Sequence, residues 1–213
     1  MKKFVNRMNN VLEILGYRKT GNSFWKVDDG FYKLINFQEG AYGGGYFFVN
    51  IGLHLVGFPE LLTNKLSVVD QPKESECIFR LRVEQISGTE QIFAFRRGLV
   101  SFEDEQIFQA LAHAFLNDVE QWFKKWGSYE NIANASQEEI LQMINVVPVL
   151  RQKAYFLLKS YCLLRLGDKD QANAIFKRYQ REQVNGLDFS RVDYYDKVLL
   201  SRLSEKPLTS QIF

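Results

Sequence analysis

The sequence has little of the chemistry on which metal centres, disulfide scaffolds and hydrolase active sites depend. Its 213 residues include two cysteines and two histidines. Neither cysteine belongs to a Cys-x-x-Cys pair, which argues against a metal cluster or a disulfide framework. The sequences His-Glu-x-x-His and Gly-x-Ser-x-Gly and the glycine pattern of dinucleotide-binding loops are all missing. We therefore expect no metal, no cofactor and no catalytic residue, and the sequence leans away from an enzyme.

A charge imbalance and a long apolar run are missing as well. The chain has 27 basic and 25 acidic residues. This balance gives no excess of positive charge of the kind that binds nucleic acid or an anionic membrane. No stretch approaches the ~18 consecutive apolar residues of a membrane span. The apolar residues between Phe4 and Leu15 recur at helical spacing, unlike the core of a signal peptide. These features predict a cytoplasmic protein that binds neither nucleic acid nor a membrane.

What the sequence does have is enough apolar material for a large core. Hydrophobic residues make up 46% of the chain and 18 residues are Phe, which suits one large or two small domains. The most regular stretch runs from Tyr46 to Val56 and alternates strictly, as a central β-strand does. Its odd positions are apolar, whereas its even positions are too apolar for a solvated surface and require a cover or a ligand.

Further strands are predicted around this central one. A helix over residues 2–15 ends at Gly16, and an Asp-Gly turn at Gly30 joins strands at 23–27 and 31–38 as a hairpin. Later strands are predicted at 76–85 and 91–97. Alternation in the first of these places four residues on the same core side as Ile51: Cys77, Phe79, Leu81 and Val83.

After residue 100 the apolar period becomes helical. Ser101 and Asp104 form a capping-box pattern for a helix over 101–126 whose apolar face covers the sheet. Residues 129–135 are polar enough for a linker, and Ser136 with Glu139 repeats the capping pattern for a short helix. Pro148 suits the first turn of a helix that runs to Leu166.

Several segments together resemble the bacterial family called domain of unknown function 4304. The resemblance covers about residues 1–130 and rests on the order and spacing of these segments: Leu15-Gly16-Tyr17-Arg18-Lys19, Ser23-Phe24-Trp25, Ile35-Asn36-Phe37-Gln38, Phe47-Phe48-Val49-Asn50-Ile51-Gly52 and Glu76-Cys77-Ile78-Phe79-Arg80-Leu81-Arg82. It implies a bacterial protein but no activity, since the family's name assigns none.

The C-terminal part resembles a tetratricopeptide helical hairpin near residues 148–183. Phe156, Ser160, Leu163 and Ala172 fall at the motif's offsets, with Tyr179 where a small residue is usual. A single repeat does not make a solenoid, so a helical bundle remains the simpler alternative. A last helix is predicted over 188–203. The fold class expected is α+β, an antiparallel sheet flanked by helices in residues 1–130, followed by an all-helical domain in residues 131–213.

A set of polar side chains follows three of the predicted strands and forms the candidate ligand-binding site: Asn36, Gln38, Asn50, His54, Arg80 and Arg82. If the strands are neighbours, these groups emerge on the face opposite Ile51. Amides, a histidine and two guanidinium groups would suit a carboxylate, a phosphate or an acidic protein surface. The alternative is a solvated face on which the two arginines stabilise the sheet by pairing with Glu76 or Glu84.

The sequence thus leaves two classes of function open. The missing catalytic motifs, the aromatic content and the helical appendage favour a non-enzymatic binding module whose partner is another protein. The alternative is a protein that binds or hydrolyses a small anionic ligand on the polar face of the sheet. A concave polar face would favour the second class and a flat one the first.

Overall fold

A computed structural model describes residues 2–40, 47–59, 71–87, 105–146 and 148–183. It begins with helix α1 (Lys2–Ile14) and continues into strands β1 (Arg18–Thr20) and β2 (Ser23–Asp28). The helix ends as predicted at Gly16, whose φ of 82° is the left-handed conformation of a C-terminal cap. Among the predicted elements, the strand at 91–97, the capping pattern at Ser101 and the helix at 188–203 lie outside the described residues.

The described strands form one antiparallel sheet. Strands β3 (Phe31–Glu39), β4 (Phe47–Leu55) and β5 (Phe79–Arg82) complete it, in the sequential order β1-β2-β3-β4-β5. The turn between β2 and β3 is the predicted hairpin, because Asp29 and Gly30 have φ of 50° and 83° as a type I′ turn requires. The antiparallel sheet with flanking helices confirms the predicted fold class.

One face of the sheet, here called the core face, carries the large apolar side chains. Ile35 lies opposite Ile51 and Phe37 opposite Val49, and all four are at most 2% exposed. Helix α1 covers this face through Phe4, whose ring centre lies 6.2 Å from that of Phe37. The prediction of which side chains of the central strand face the core is therefore confirmed.

The strand predicted at 76–85 is wrong in its extent. Only residues 79–82 are β5, preceded by a 3₁₀ turn at Glu74–Glu76 and followed at once by helix α2 (Val83–Ser87). Cys77 consequently does not lie on the core face but packs with Tyr32 and Leu34 on the other side of the sheet. The alternation of apolar residues gave the wrong face for Cys77, because this residue packs on top of the sheet without belonging to a strand.

Further helices follow in the segment 105–126. Helices α3 (Glu105–Ala114) and α4 (Glu120–Trp126) are joined by a π-helical segment at Phe115–Val119, where a continuous α-helix was predicted. Phe115 packs against the core face with its ring centre 6.2 Å from that of Phe37. The extra residue in the π-helical turn shifts the face of the helix between its two halves.

The chain divides into two compact units, Met1–Ser128 with Met143–Asn145 and Tyr129–Gln142 with Val146–Phe213. In the first unit the short segment Met143–Asn145 pairs with the sheet. The backbone amide of Asn145 donates to the carbonyl of Ile78 at 2.8 Å. This participation of residues 143–145 was not predicted.

The described elements of the second unit are helices: α5 (Tyr129–Asn134), α6 (Gln137–Met143, whose last residue belongs to the first unit), α7 (Pro148–Arg165) and α8 (Lys169–Gln183). The predicted linker at 129–135 is wrong, because α5 buries Ile132 completely. The capping box before α6 is confirmed: the Glu139 amide donates to Ser136 Oγ at 3.2 Å, and the Ser136 amide donates back to the Glu139 carboxylate at 3.0 Å.

Helices α7 and α8 form the predicted helical hairpin, which turns at Gly167 with a φ of 86°. Small and apolar residues pack at its interface, since Ser160 and Ala172 are each 1% exposed. In the part of the chain that the structure describes, no helix is both long and apolar enough to cross a membrane.

Candidate functional site

Strand register places all six predicted site residues on one face of the sheet, here called the second face. Asn36 lies opposite Asn50, which in turn lies opposite Arg82. Gln38, His54 and Arg80 follow at alternate positions of the same strands, and side chains two residues apart share a face. The structure therefore brings the predicted cluster together, although its members have very different surroundings.

A row of hydrogen bonds links the amides in the middle of this face. Asn36 Nδ2 donates to Ser23 Oγ at 2.8 Å, and Asn50 Nδ2 donates to Gln38 Oε1 at 3.0 Å. The Asn50 amide also lies 3.0 Å from Glu74 Oε1, so one nitrogen serves several acceptors. With Asn50 only 2% exposed, these contacts satisfy a polar group that would otherwise be costly to bury.

Glu74 was not predicted as part of this surface and proves central to it. Its Oε1 accepts from Arg80 Nη2 at 3.1 Å, with the two side chains 10% and 34% exposed respectively. The expected pairing of Arg80 with Glu76 or Glu84 is replaced by this one. Glu74 Oε2 and Arg80 Nε are buried and have no hydrogen-bond partner within the described residues, so the ion pair uses only part of its bonding capacity.

The centre of the second face is closed by residues 72–78, here called the cover. Gly52 permits this close approach, because a Cβ built there would lie 2.7 Å from Cys77 Sγ and 3.3 Å from the Cα of Glu74. Cys77 is fully buried, and this burial, followed by the nearby Glu74 and Glu76 carboxylates, raises the pKa of its thiol well above the usual value. The predicted need for a cover is thus met by the chain itself.

His54 lies buried beneath this cover. It is 1% exposed, and its Nε2 lies 3.0 Å from the carbonyl oxygen of Phe58. Its Nδ1 accepts from the backbone amide of Ile78 at 3.3 Å, which makes Nε2 the protonated nitrogen that donates to Phe58. Both ring nitrogens are therefore used to hold the loop after β4 and the end of the cover.

The two ends of the second face remain accessible and carry arginine–aromatic pairs. At one end the Arg82 guanidinium lies 4.1 Å from the centre of the Phe48 ring. At the other end the Arg18 guanidinium lies 5.8 Å from the ring of Trp25. Both arginines are exposed and both rings are partly buried, so each guanidinium presents its donors to solvent above an apolar base.

These contacts separate structural from accessible members of the predicted site. Asn50 and His54 are buried and hydrogen-bonded, Arg80 is held by Glu74, and Arg82 is exposed. The chemistry available is hydrogen bonding and ion pairing to carboxylates or phosphates. Within the described residues no group of three or more His, Cys, Asp or Glu side chains could hold a metal ion.

The predicted site lacked three contributors to the accessible ends, Arg18, Trp25 and Phe48. Arg18 escaped because β1 has only three residues, which is too short for an alternation signal. Phe48 was placed correctly on the second face, but its pairing with Arg82 required the register. Gly52, an isolated glycine inside a strand, was the available signal for the close approach of another backbone.

One comparison with known proteins gives a match. The model of a family described as Domain of unknown function (DUF4304) matches residues 8–126 of this chain. No curated protein and no solved structure matches it. The matched residues contain the whole described sheet, the cover and the helices of the segment 105–126.

Proposed function

This chain belongs to the DUF4304 family of domains of unknown function, and from that premise we propose that its N-terminal unit is a non-enzymatic module that binds an acidic surface of another protein. The observation that carries this proposal is the pair of accessible arginines, Arg18 and Arg82, each lying over an aromatic ring at one end of the second face. Arginine and tryptophan are enriched among the residues that dominate protein–protein binding energies.

The charge of the second face selects the kind of partner. The strands contribute three arginines to it, Arg18, Arg80 and Arg82, and no carboxylate among the described residues. Glu74 of the cover neutralises Arg80, which leaves a positive group at each end. An acidic protein surface would supply a carboxylate to each guanidinium in a bidentate arrangement.

The proposal is tested by removing the two charges while keeping side-chain length. The variant Arg18→Gln/Arg82→Gln should retain its fold, because exposed charges contribute only about 0–1 kcal/mol. The immobilised full chain should capture a partner from a lysate of the source organism, and the double variant should lose it. Capture by the wild type should also weaken as salt rises.

Arg7→Gln supplies the matched control. Its guanidinium also stacks on a ring, 3.7 Å from the centre of Phe108, but it belongs to α1, on the core side of the sheet. Capture that survives in the Arg7 variant and disappears in the double variant supports the proposal. Equal capture by all three proteins, or equal loss in both variants, excludes this surface as the binding site.

A second candidate function is binding or hydrolysis of a small anionic ligand on the same face. The unpartnered Arg80 Nε favours it, since this donor has no acceptor within the described residues. The ligand would have to displace Glu74, which makes this the weaker candidate. A thermal-shift screen with phosphate and acetate should then stabilise the wild type but not Arg80→Gln/Arg82→Gln, whereas no stabilisation of the wild type rejects it.

We also propose a cytoplasmic location in a bacterium. Cys77 and Cys162 are both free and buried, which is consistent with a protein of a reducing compartment. Fractionation of a bacterium that carries the gene, with antibody detection of the chain, tests this location. For the helical hairpin of α7 and α8 we propose a structural role in a bundle rather than peptide binding, because a single tetratricopeptide-like repeat does not make a solenoid.

A further inference from the structure

A polar cavity of about 340 Å³ lies on the first unit, away from the second face. It is bounded by the β2–β3 turn, the π-helical segment and α4. Charged and amide side chains dominate its lining, among them Lys33, Asn117, Glu120 and Lys124. Its size falls in the range of small-molecule sites.

Lys33 is the unusual member of this lining. It occupies a core-face position of β3, and its side chain is only 7% exposed. Its ammonium donates to Asp28 Oδ2 at 2.6 Å, which leaves two of its three donors without a partner among the described residues. Burial of an ammonium is costly unless its donors are used, and those of Lys33 adjoin a cavity.

Two backbone features build the cavity around Lys33. Gly127 leaves room for the lysine stem, because a Cβ at this position would lie 3.3 Å from Lys33 Cε. The π-helical segment Phe115–Val119 brings Leu116 and Asn117 to the same cavity. Such segments are frequent at functional sites, so the irregular helix and the buried lysine are two independent observations at one place.

Some charged groups of the cavity are paired within the protein, and others are not. The Glu120 carboxylate accepts from Tyr17 Oη at 2.7 Å and from Lys26 Nζ at 2.8 Å, and Asp28 accepts from Lys33. Two exposed groups of opposite sign remain, Asp29 and Lys124, and neither has an ion pair among the described residues. The unused groups are therefore one carboxylate, one ammonium and the spare donors of Lys33.

We propose that this cavity binds a small zwitterion of the amino-acid class. Its carboxylate accepts from the ammonium groups of Lys33 and Lys124, and its ammonium donates to Asp29. Asn117 supplies a further acceptor, since its Nδ2 already donates to the carbonyl of His113 at 2.9 Å and its Oδ1 is left for the ligand. The exposed side chain of Leu116 at the rim offers apolar contact to a short carbon chain.

Titration of the ¹⁵N-labelled full chain tests this proposal with four probes, three of which share a four-carbon skeleton. γ-Aminobutyrate carries both charged ends, butyrate only the carboxylate and butylamine only the ammonium, and L-alanine serves as a shorter zwitterion. At least one zwitterion should shift the amides of Asp29, Asn117 and Gln121 saturably. Its Kd should be at least about tenfold lower than that of butyrate or butylamine, since it alone satisfies both poles.

Variants at the two exposed groups complete the test. Lys124→Met and Asp29→Asn should each raise the Kd of the zwitterion at least about fivefold, and asparagine tolerates the positive φ of position 29. Lys125→Met is the control, because it removes a neighbouring charge of α4 that does not line the cavity. The proposal is overturned if no zwitterion shifts these amides saturably, if all four probes bind equally, or if the three variants behave alike.

Discussion

The substitution Gly52→Ala tests the fit between the sheet and its cover. Gly52 lies in β4 without a positive φ, so alanine is compatible with its backbone. In an open strand the change should stabilise the protein by about 0.5–1 kcal/mol through the lost backbone freedom of glycine. Here the new Cβ would lie 2.7 Å from Cys77 Sγ, and overpacking of this kind costs about 1–3 kcal/mol. The two contributions together should leave a net destabilisation of about 0–2.5 kcal/mol.

Urea unfolding followed by tryptophan fluorescence measures this effect selectively. The three tryptophans of the chain are Trp25, Trp122 and Trp126, and all lie in the first unit. The signal therefore reports the unit that contains the sheet. A gain in stability on Gly52→Ala would refute the close approach of the cover.

Cys77→Ala supplies the second half of a double-mutant cycle. It removes the sulfur atom, after which the nearest atom to the new Cβ is Cys77 Cβ at 3.2 Å. Gly52→Ala should then cost at least about 0.5 kcal/mol less than in the wild type, since contacting residues couple by about 0.5–3 kcal/mol. Additive effects would show that Gly52 and Cys77 do not touch.

Three further predictions concern the first unit. Ile51→Ala should lower the free energy of unfolding by about 2–5 kcal/mol because the side chain is fully buried, and a loss below about 1 kcal/mol in urea melts would contradict this. Burial, followed by Glu120, raises the pKa of Tyr17 above its usual value near 10. The unfolded chain therefore releases this proton first, so the free energy of unfolding falls as pH rises above ~10. Tyr17→Phe should flatten that fall in alkaline urea melts, and an unchanged fall would show that the tyrosine is exposed. A fragment of residues 1–146 should unfold at higher urea concentration than one of residues 1–131, because residues 144–145 pair with the sheet, and equal midpoints would show that this pairing contributes nothing.

Much of the sheet could be predicted because its signals are local. Alternation in β3 and β4 fixes which side chains face the core, and an Asp-Gly turn pairs β3 with β2 as a hairpin. The common face of Asn36 and Asn50 followed from these patterns, and the facing of Arg82 followed from the alternation over residues 76–85. What surrounds each residue on that face did not, because Glu74 reaches Asn50 from 24 positions away and no local pattern encodes such a contact.

The failures have a related physical cause. Cys77 alternates in phase with Phe79 and was therefore placed on the core face, but the strand begins only at Phe79 and Cys77 is buried from the opposite side. The segment 129–135 is polar in composition, yet Ile132 is fully buried and α5 forms because it packs on α7. In both cases tertiary contacts decided between structures that the local pattern allowed.

The central claim is that the chain covers the middle of its own polar sheet face and leaves two arginine–aromatic ends accessible. The most direct measurement is a nuclear Overhauser experiment on the ¹³C,¹⁵N-labelled full chain. It should show cross-peaks between the Hα protons of Gly52 and the Hβ protons of Cys77, together with slow solvent exchange of the Asn50 side-chain amide. Absence of the cross-peaks with rapid exchange of that amide would show an open polar face and contradict the account.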